Sequence, residues 1–329
     1  MTVETSAPHP LTKVLRVLTL IGACLLLMVS LFAALPVSPA PWMDLLCHFS
    51  LQYSFAAVIG LVWSFYPLEA GRVTKIVLAL ALAVNLGVLA PYMIPSKQHA
   101  PVTEGKFLKV LQANVLYLNK DTTRFRQLIE KENPDIIFVA EANSTFSKML
   151  AGLRKKYPYQ HAHPENNGAF GLAVQSKVPL EKLRLVTFAG AEVPSYFFEV
   201  THEGQKTRFF GLHTMNPLFG VDIRDAAFTG LQAEISRSPK NVVVMGDLNA
   251  TPWCPALRKL MRAVPQLENT RQGRGLFLSW PTFLPSFMRI PIDITLVSDN
   301  IAVQDYRLGP DIGSDHFPVI VTLALEKGK

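Results

Sequence analysis

Eight polar residues in the last two-thirds of this 329-residue chain follow or adjoin short apolar runs, where a β-strand would present them to a ligand. Carboxylate and carboxamide oxygens are the ligands that Mg²⁺ prefers. An imidazole carries protons near neutral pH, and a neighbouring carboxylate fixes its tautomer. The set therefore predicts divalent-metal chemistry at a phosphoryl group. Its members are Asn114, Glu141, His213, Asp247, Asn249, Asp293, Asp315 and His316.

The stretch VVVMGDLNATPW (242–253) shows the pattern most clearly. Four apolar residues lead to a glycine and then to Asp247 and Asn249, and a Thr-Pro turn signal follows at once. Because side chains alternate along an extended chain, residues two apart lie on the same side of the strand tip. A buried strand is thus predicted to hold one carboxylate and one carboxamide toward the same site.

Short apolar runs alternate with charged helical stretches throughout the region after residue 106. Helices are predicted over 122–132 and 226–236. Strands are predicted over 107–112, 135–140, 171–175, 196–200, 208–212, 242–245, 294–297 and 319–323. Helices interleaved with strands, several of them spaced like hairpins, are typical of a mixed α/β domain.

The first 95 residues have a different composition. The segments 17–35, 45–66 and 76–94 contain no Asp, Glu, Lys or Arg, and each can cross the roughly 30 Å hydrocarbon core as a helix. A cleaved signal peptide fits the first segment poorly because no clean cleavage site precedes Pro36. Three core helices of a soluble protein are the other alternative, which uncharged stretches of this length disfavour. We predict a membrane region over 1–95, a linker over 96–106 and a domain over 107–329.

The basic residues around these segments predict an orientation. Lys13 and Arg16 precede the first segment, the loop 36–44 has no Lys or Arg, and the next loop carries Arg72 and Lys75. The positive-inside rule then places the N-terminus in the cytoplasm. Three crossings would leave the domain outside, as in a multi-pass inner-membrane protein with an extracytoplasmic domain.

Polar and reactive groups in the membrane region suggest little chemistry. His48 and Gln52 lie one helical turn apart near the outer end of the second segment, where we expect interfacial water to satisfy them rather than a ligand. Two of the three cysteines, Cys24 and Cys47, lie in these segments. Cys254 is alone in the domain, so no disulfide framework is predicted there.

The charge of the domain predicts a weak attraction to anions. The whole chain has a net charge of +7, and residues from 101 onward hold 27 Lys and Arg against 22 Asp and Glu. These basic residues are scattered, and the densest cluster, 154–156, is typical of a solvated helix end. Such a domain can attract phosphates or anionic headgroups but has no long basic stretch for gripping nucleic acid.

Six motifs in order resemble the endonuclease/exonuclease/phosphatase superfamily, which includes DNase I-like nucleases, neutral sphingomyelinases and inositol-polyphosphate phosphatases. They span essentially the whole predicted domain. With three apolar segments ahead of it, the chain resembles a membrane-anchored bacterial branch that includes teicoplanin-resistance-associated proteins. The motifs are QANV (112–115), PDIIFVAE (134–141), GLHT (211–214), GDLNATPW (246–253), PIDITLVS (291–298) and GSDHFPV (313–319).

The resemblance implies a four-layer sandwich of two mixed β-sheets flanked by helices, and hydrolysis of a phosphoester with Mg²⁺ or Mn²⁺. Asn114 and Glu141 would hold the metal, and Asp315 could join them. Asp247 and Asn249 would position the attacking water and a phosphate oxygen. His316, oriented by Asp293, would take the proton of the water or contact the phosphate.

Two further roles follow from the same resemblance. His213 would stabilise the charge of the pentacovalent phosphorus or protonate the leaving oxygen. Asn216, three residues beyond it, could contact a phosphate oxygen, although a purely structural role is preferred for it. Surface roles are likewise preferred for Arg224, His161, His163 and His202.

The alternatives concern the substrate. The short linker favours a lipid-linked phosphate or phosphodiester at the outer surface of the bilayer. An extracytoplasmic nuclease is the second hypothesis, and a non-catalytic receptor on the same fold is the third. The third is disfavoured because no motif position is visibly substituted. Any one of these residues alone has an ordinary explanation as a turn or strand-end residue, so their shared order carries the prediction.

Overall fold

A computed structural model describes residues 9–35, 41–95, 107–188, 190–191, 193–238 and 240–325. The chain divides into two compact units, Met1–Ala90 and Pro91–Lys329. This division falls close to the predicted end of the membrane region at residue 95. The predicted linker over 96–106 lies outside the described residues.

The first unit is helical. Its helices are α1 (Pro10–Ala34), α2 (Pro41–Cys47), α3 (Ser50–Phe65) and α4 (Arg72–Met93), and the last turn of α4 belongs to the second unit. Inside the first unit, the buried Asn85 amide donates to Ser30 Oγ over 2.7 Å. Such interhelical bonds between polar side chains are common where helices pack in an apolar environment.

Two of the three predicted spans are helices long and apolar enough to cross a membrane: α1 with 25 residues and α4 with 22. Signal sequences and core helices of soluble proteins pass the same test of length and composition. The predicted second span is divided between α2 and α3. At 1.5 Å per residue, the 16 residues of α3 extend about 24 Å, which is shorter than the hydrocarbon core. Among the described residues the structure thus has two candidate spans and one shorter apolar helix.

The break between α2 and α3 also changes the surroundings of His48. Its Nε2 lies 3.6 Å from Oδ2 of the buried Asp44, one helical turn earlier. A protein carboxylate therefore faces this imidazole, and its contact with interfacial water stays a prediction.

The second unit contains two six-stranded mixed sheets. In the first, the only parallel neighbours are β1 and β2, which lie at its centre. Its strands, in the order in which they pair, are β11 (Ile301–Leu308), β12 (Val319–Leu325), β1 (Phe107–Asn114), β2 (Ile136–Ala140), β4 (Leu172–Ser176) and β3 (Tyr159–His163).

The second sheet repeats this arrangement, with β7 and β8 as its central parallel pair. The order of pairing is β5 (Glu181–Thr187), β6 (Pro194–His202), β7 (Gln205–His213), β8 (Asn241–Asp247), β10 (Asp293–Ser298) and β9 (Leu267–Asn269).

Apolar side chains from one face of each sheet form the main core. Val110 and Phe138 of the first sheet pack with Phe198, Phe209 and Met245 of the second, and all are buried. The rings of Phe198 and Phe209 stack with centroids 5.1 Å apart. Burying both faces of the central strands explains why their sequences are nearly continuous apolar runs.

Helices flank this pair of sheets. α5 (Thr123–Glu132) and α6 (Ser144–Ala151) bury Phe125 and Phe146 against the outer face of the first sheet. α7 (Pro217–Ile235) and α8 (Pro255–Ala263) contact each other and bury one apolar face each. The predicted four-layer sandwich of two mixed sheets flanked by helices is confirmed.

A buried polar bridge fixes the two sheets relative to each other. Gln112 on β1 donates through Nε2 to Ile294 O over 3.2 Å and accepts through Oε1 from Gly246 N over 2.8 Å. Gly246 has φ of 132°, and a Cβ on it would lie 1.9 Å from Leu212 O. Only glycine fits there, so the glycine before Asp247 allows close pairing of β7 with β8.

Candidate active site

Strand register brings the polar side chains to one edge of the sandwich, which we call the site edge. β1 ends at Asn114, and β2 is followed at once by Glu141. In the second sheet, His213 pairs with Asp247, and Asp247 pairs with Asp293. Five of the predicted residues therefore meet because four strands end, and one begins, at the same level.

The loop before β12 adds two more residues to the site edge. Ser314 Oγ donates to Asn114 O over 2.8 Å and accepts from His316 N over 3.1 Å. The Ser314 hydroxyl thus attaches this loop to the end of β1. Asp315 and His316 are positioned in this way.

His316 lies between buried carboxylates. Its Nδ1 is 2.9 Å from Asp293 Oδ2, and its Nε2 is 3.6 Å from Asp247 Oδ2. Burial opposes the charged imidazolium, but Asp293 and Asp247 outweigh it and raise the pKa of His316 to about 10. In the metal-free protein His316 is therefore a cation at neutral pH, and its Nδ1–H donates to Asp293.

Asp247 is the carboxylate that the surrounding groups share. Burial raises the pKa of Asp247, and the nearby Asp293 adds to this, while His316 and His213 act in the opposite direction. Its Oδ1 accepts from Asn249 N over 2.9 Å. Asn249 has a positive φ of 44°, and its side chain donates to Thr214 O over 2.8 Å. The tip of β8 is thus a fixed turn in which the two predicted residues stay side by side.

Asn114 and Glu141 form the part of the site that suits a divalent cation. Asn114 Nδ2 donates to Glu141 Oε1 over 2.8 Å and to Asp247 Oδ2 over 3.1 Å. The electropositive end of one amide thus lies where two carboxylates converge. Asn114 Oδ1 accepts from Leu116 N over 3.0 Å, which fixes the orientation of this amide, so the oxygen atoms that face the site are those of Glu141 and Asp247. The donor set therefore fits Mg²⁺ or Mn²⁺.

A second group of possible metal ligands overlaps the first. One ligand atom each from Asp247, Asp293 and His316 lie within 4.8 Å of one another. Since Asp247 belongs to both groups, they form one continuous site. The predicted third ligand, Asp315, instead accepts from Trp280 Nε1 over 3.0 Å and lies 4.0 Å from His316 Nε2. Its role as a metal ligand stays a prediction.

His213 approaches the same carboxylates from the second sheet. Its Nδ1 is 2.9 Å from Ala169 O, so this nitrogen carries the proton in that hydrogen bond. Its Nε2 faces Glu141 Oε1 at 3.9 Å and Asp247 Oδ2 at 3.7 Å. Phe170 packs beside the ring with centroids 5.6 Å apart. The ring is therefore held with one nitrogen toward the site.

Three of the remaining candidates have structural partners. Asn216 caps α7, its Oδ1 accepting from Leu218 N over 2.9 Å, so substrate contact by Asn216 stays a prediction. Arg224 is fully buried beside Asp225, unlike the surface residue that was expected. His161 lies on β3, where Nδ1 is 2.7 Å from Tyr196 Oη. His163 ends β3 at the level where β2 ends, and His202 ends β6 at the opposite end of the second sheet from His213.

Sequence reasoning missed three residues that support the site. The fully buried Arg271 donates through Nη2 to Asp293 O and through Nε to Tyr306 Oη. Trp280 holds Asp315, and Ser314 joins the loops as described. Arg271 lies in the stretch RQGRG, which looks like a solvated basic loop. No local signal identifies it, because its acceptors come from distant parts of the chain.

The sequence that carries this site matches the model of a known protein family. Residues 111–316 match the model of the Endonuclease/Exonuclease/phosphatase family. This range contains all of the site residues described above. A search of curated proteins finds no match.

Solved structures share the fold. D. rerio TDP2 complexed with a single-strand DNA product is 16% identical, with a TM-score of 0.56 over 66% of this chain and 99% of that one. The human Nocturnin catalytic domain with bound sulfate is 18% identical, with a TM-score of 0.55 over 70% and 99%. The 3′ phosphatase NExo from Neisseria, bound to a product DNA hairpin, is 18% identical, with a TM-score of 0.53 over 65% and 98%. At these identities the likeness concerns the fold.

Proposed function

Because the chain belongs to the endonuclease/exonuclease/phosphatase family of phosphoesterase and nuclease hydrolases, we propose that it is a membrane-anchored, divalent-metal-dependent phosphoesterase. The proposed substrate is a lipid-linked phosphate ester or phosphodiester at the outer membrane surface. The proposed reaction is in-line attack of water on phosphorus.

One observation carries the chemical part of this proposal. Asp247, Asp293 and His316 are buried together at the site edge, with Asn114 and Glu141 bonded to the same cluster. Buried carboxylates remain close together only when cations or donors compensate their charge. A metal ion held by Glu141 and Asn114 would supply that charge and neutralise a phosphoryl oxygen.

The roles of the protein groups follow from their protonation and contacts. Asp247, whose pKa is raised, is suited to accept a proton from the attacking water, which Asn249 beside it would help to place. His316, which is charged at neutral pH, would donate Nε2–H to a phosphoryl oxygen while Asp293 fixes the ring. His213 Nε2 would act at the leaving oxygen or stabilise charge on phosphorus.

The membrane part of the proposal is supported by α1 and α4, the two helices that are long and apolar enough to span a bilayer. From the end of α4 at residue 93 to the start of β1 at 107, the chain can extend about 45–50 Å at most. A site tethered at this reach meets headgroup phosphates before other substrates. With α3 as a third crossing, the charges around the first segments would place the catalytic unit on the outer side.

A nuclease is the second candidate, since D. rerio TDP2 and the Neisseria phosphatase were solved with DNA products. Nucleic-acid binding by basic contacts weakens steeply as salt rises. The loops of the site edge supply few basic residues for such contacts, and this favours the lipid substrate.

The test is a divalent-dependent release assay on the full-length chain in detergent. Lipid phosphates, a sphingomyelin-type diester and duplex DNA are compared at matched concentrations, with Asp247→Asn as the inactive control. We expect release from a lipid substrate that excess chelator abolishes. Faster cleavage of DNA would establish the nuclease alternative. Tight binding without turnover would establish a receptor.

A further inference from the structure

From residue 107 onward, the most exposed apolar side chains lie on loops next to the site edge. Among the described residues from 107 onward, four large apolar side chains are more than 60% exposed: Leu118 at 63%, Leu218 at 68%, Phe219 at 81% and Phe283 at 76%. Met288, 44% exposed, lies on the same loop as Phe283. We call these five residues the apolar rim. A soluble surface rarely gathers its most exposed apolar groups in one place without a partner.

Each part of the rim is linked to the site, two of them along the chain and the third by hydrogen bonds. Leu118 comes four residues after Asn114, and Leu218 and Phe219 come five and six after His213. Phe283 comes directly after Thr282, whose N and Oγ1 donate to Asp315 O over 2.9 Å and Ser314 O over 2.8 Å. The rim therefore belongs to the loops that carry the site.

Hydrogen bonds keep these loops in place, so the exposure is built into them. Asn143 Nδ2 donates to Tyr117 O over 2.8 Å and to Asn119 O over 2.7 Å, on both sides of Leu118. Asn216 caps the turn that carries Phe219, and the helix is interrupted at Gly220. On the third loop, Arg289 donates to Leu284 O over 2.7 Å and to Thr282 O over 3.0 Å.

The charge of the rim loops fits an anionic, partly apolar surface. The loops 115–120, 214–220 and 281–289 contain no Asp or Glu. Their charged residues are Lys120 and Arg289. Aromatic side chains beside a few cations are typical of segments that enter the boundary between headgroups and acyl chains.

From these observations we infer that the apolar rim inserts into the bilayer that anchors the chain, which directs the site edge at the membrane surface. This inference rests on the proposed function for its substrate: a lipid-linked phosphate would reach Asp247 and His316 without leaving the bilayer. The occupant of the rim is the lipid surface itself. A protein bound there would contradict the inference.

Fluorescence in proteoliposomes tests insertion without requiring turnover. In the full-length chain with Cys24, Cys47 and Cys254 replaced by alanine, Phe219→Cys or Phe283→Cys carries an environment-sensitive dye. The vesicles contain phosphatidylethanolamine, phosphatidylglycerol and a nitroxide lipid. Tyr159→Cys is the matched control, because Tyr159 is 40% exposed at the opposite end of the first sheet.

We expect a blue shift and strong nitroxide quenching at 219 and 283, and neither at 159. Quenching at the two rim positions no greater than at 159 would overturn the inference. The inference would also be overturned if the dyes at 219 and 283 became shielded from water only when other membrane proteins were added. Because no hydrolysis is measured, failure of the proposed function leaves this result interpretable.

A kinetic comparison gives a second readout. Each exposed phenylalanine that enters a bilayer is expected to contribute about a tenfold or greater increase in membrane affinity. The double variant Phe219→Ser, Phe283→Ser should therefore lose at least about tenfold more activity on a bilayer-embedded substrate than on its soluble short-chain analogue. Equal losses on both, or a similar ratio in Tyr159→Ser, would contradict a docking role.

Discussion

Replacing Asp293 with asparagine should lower the pKa of His316 and remove most of the activity, while the fold is preserved. In the wild type, His316 Nδ1 lies 2.9 Å from Asp293 Oδ2. Asparagine and aspartate side chains have the same shape, so the amide oxygen of the variant can still accept a hydrogen bond from this nitrogen. What is lost is a negative charge. Burial alone would lower the pKa of His316, and the carboxylates of Asp293 and Asp247 instead raise it to about 10.

The size of the effect follows from the bond that changes. A hydrogen bond to a charged group contributes about 1.5–3 kcal/mol, and 1.36 kcal/mol corresponds to one pH unit. The pKa of His316 should therefore fall by about 1–2 pH units in Asp293→Asn, with Asp247 still keeping it above its ordinary value. Loss of the carboxylate that orients a working imidazole can lower turnover by as much as about 10⁴-fold.

The same change alters how stability depends on pH in the metal-free chain. The folded protein raises the pKa of His316 above the value of 6.5 in an unfolded chain, so the charged imidazole stabilises the fold. That contribution is complete below about pH 6.5 and is lost as pH rises toward 10. In Asp293→Asn this stabilising contribution should be fully lost at a pH about 1–2 units lower than in the wild type.

The assay is an NMR titration of histidine ring carbons in the full-length chain with chelator, where His316→Gln identifies the resonance. Asp311→Asn is the control, since Asp311 is 54% exposed and pairs with Arg124 near the same loop. A pKa of His316 that is the same in Asp293→Asn and in wild type would refute the assignment of Asp293 as the partner that charges this imidazole. A normal rate in the variant would refute its role in catalysis.

Three other predictions test the metal, the leaving group and the topology. Glu141→Ala should lower activity by at least about 10²-fold, with partial recovery at raised Mg²⁺, whereas Glu130→Ala, an exposed helix position, should not; full activity in excess chelator would remove the metal from the mechanism. His213→Gln should lose much less activity on a substrate with a very acidic leaving group than on a poor one, because such a group needs little protonation; equal losses would leave only charge stabilisation for His213. A reporter that is active only outside the cytoplasm, fused after Lys329, should be active, and activity of a cytoplasm-only reporter there would place the site on the inner side.

Topology is the prediction that the break between α2 and α3 affects most. With the N-terminus inside, three crossings put the catalytic unit outside, and two crossings would put it inside. The uncharged composition over 45–66 predicts one long helix, but composition alone does not show that Asp44 and His48 pair where the helix breaks. Hydropathy reports the average of a segment and not where its helix ends.

The strands could be predicted from the sequence where both of their faces are buried and their residues are therefore mostly apolar. All eight predicted strands exist, because each lies in a sheet whose faces are both covered and therefore reads as an apolar run. The four strands β3, β5, β9 and β11 were missed. They lie at sheet edges, and the side chains of Glu181–Thr187 alternate between half-buried and exposed, so the sequence has no apolar run to detect.

The site residues were recognisable for a related reason. Asn114, His213 and Asp247 end their strands, and an abrupt change from apolar to polar is visible in a sequence. The groups that orient them are different. Arg271 reaches Asp293 O and Tyr306 Oη only because three distant segments meet, and this depends on the fold rather than on local pattern.

The two candidate substrates place opposite demands on the loops around these residues. A nucleic acid offers a row of phosphates in water, and it is bound by several basic side chains whose contribution weakens with salt. A lipid offers one phosphate attached to apolar chains, and binding it requires one charged site beside apolar surface. Here Lys120 and Arg289 are the only charged residues in the three rim loops, while Phe219 and Phe283 are among the most exposed apolar side chains of the unit. The unit as a whole is basic, yet its cations lie mostly away from the site edge in the sequence, as in 154–156. This distribution favours a phosphate presented at a bilayer surface, and a rate on bilayer substrate that changes little with added salt would agree with it.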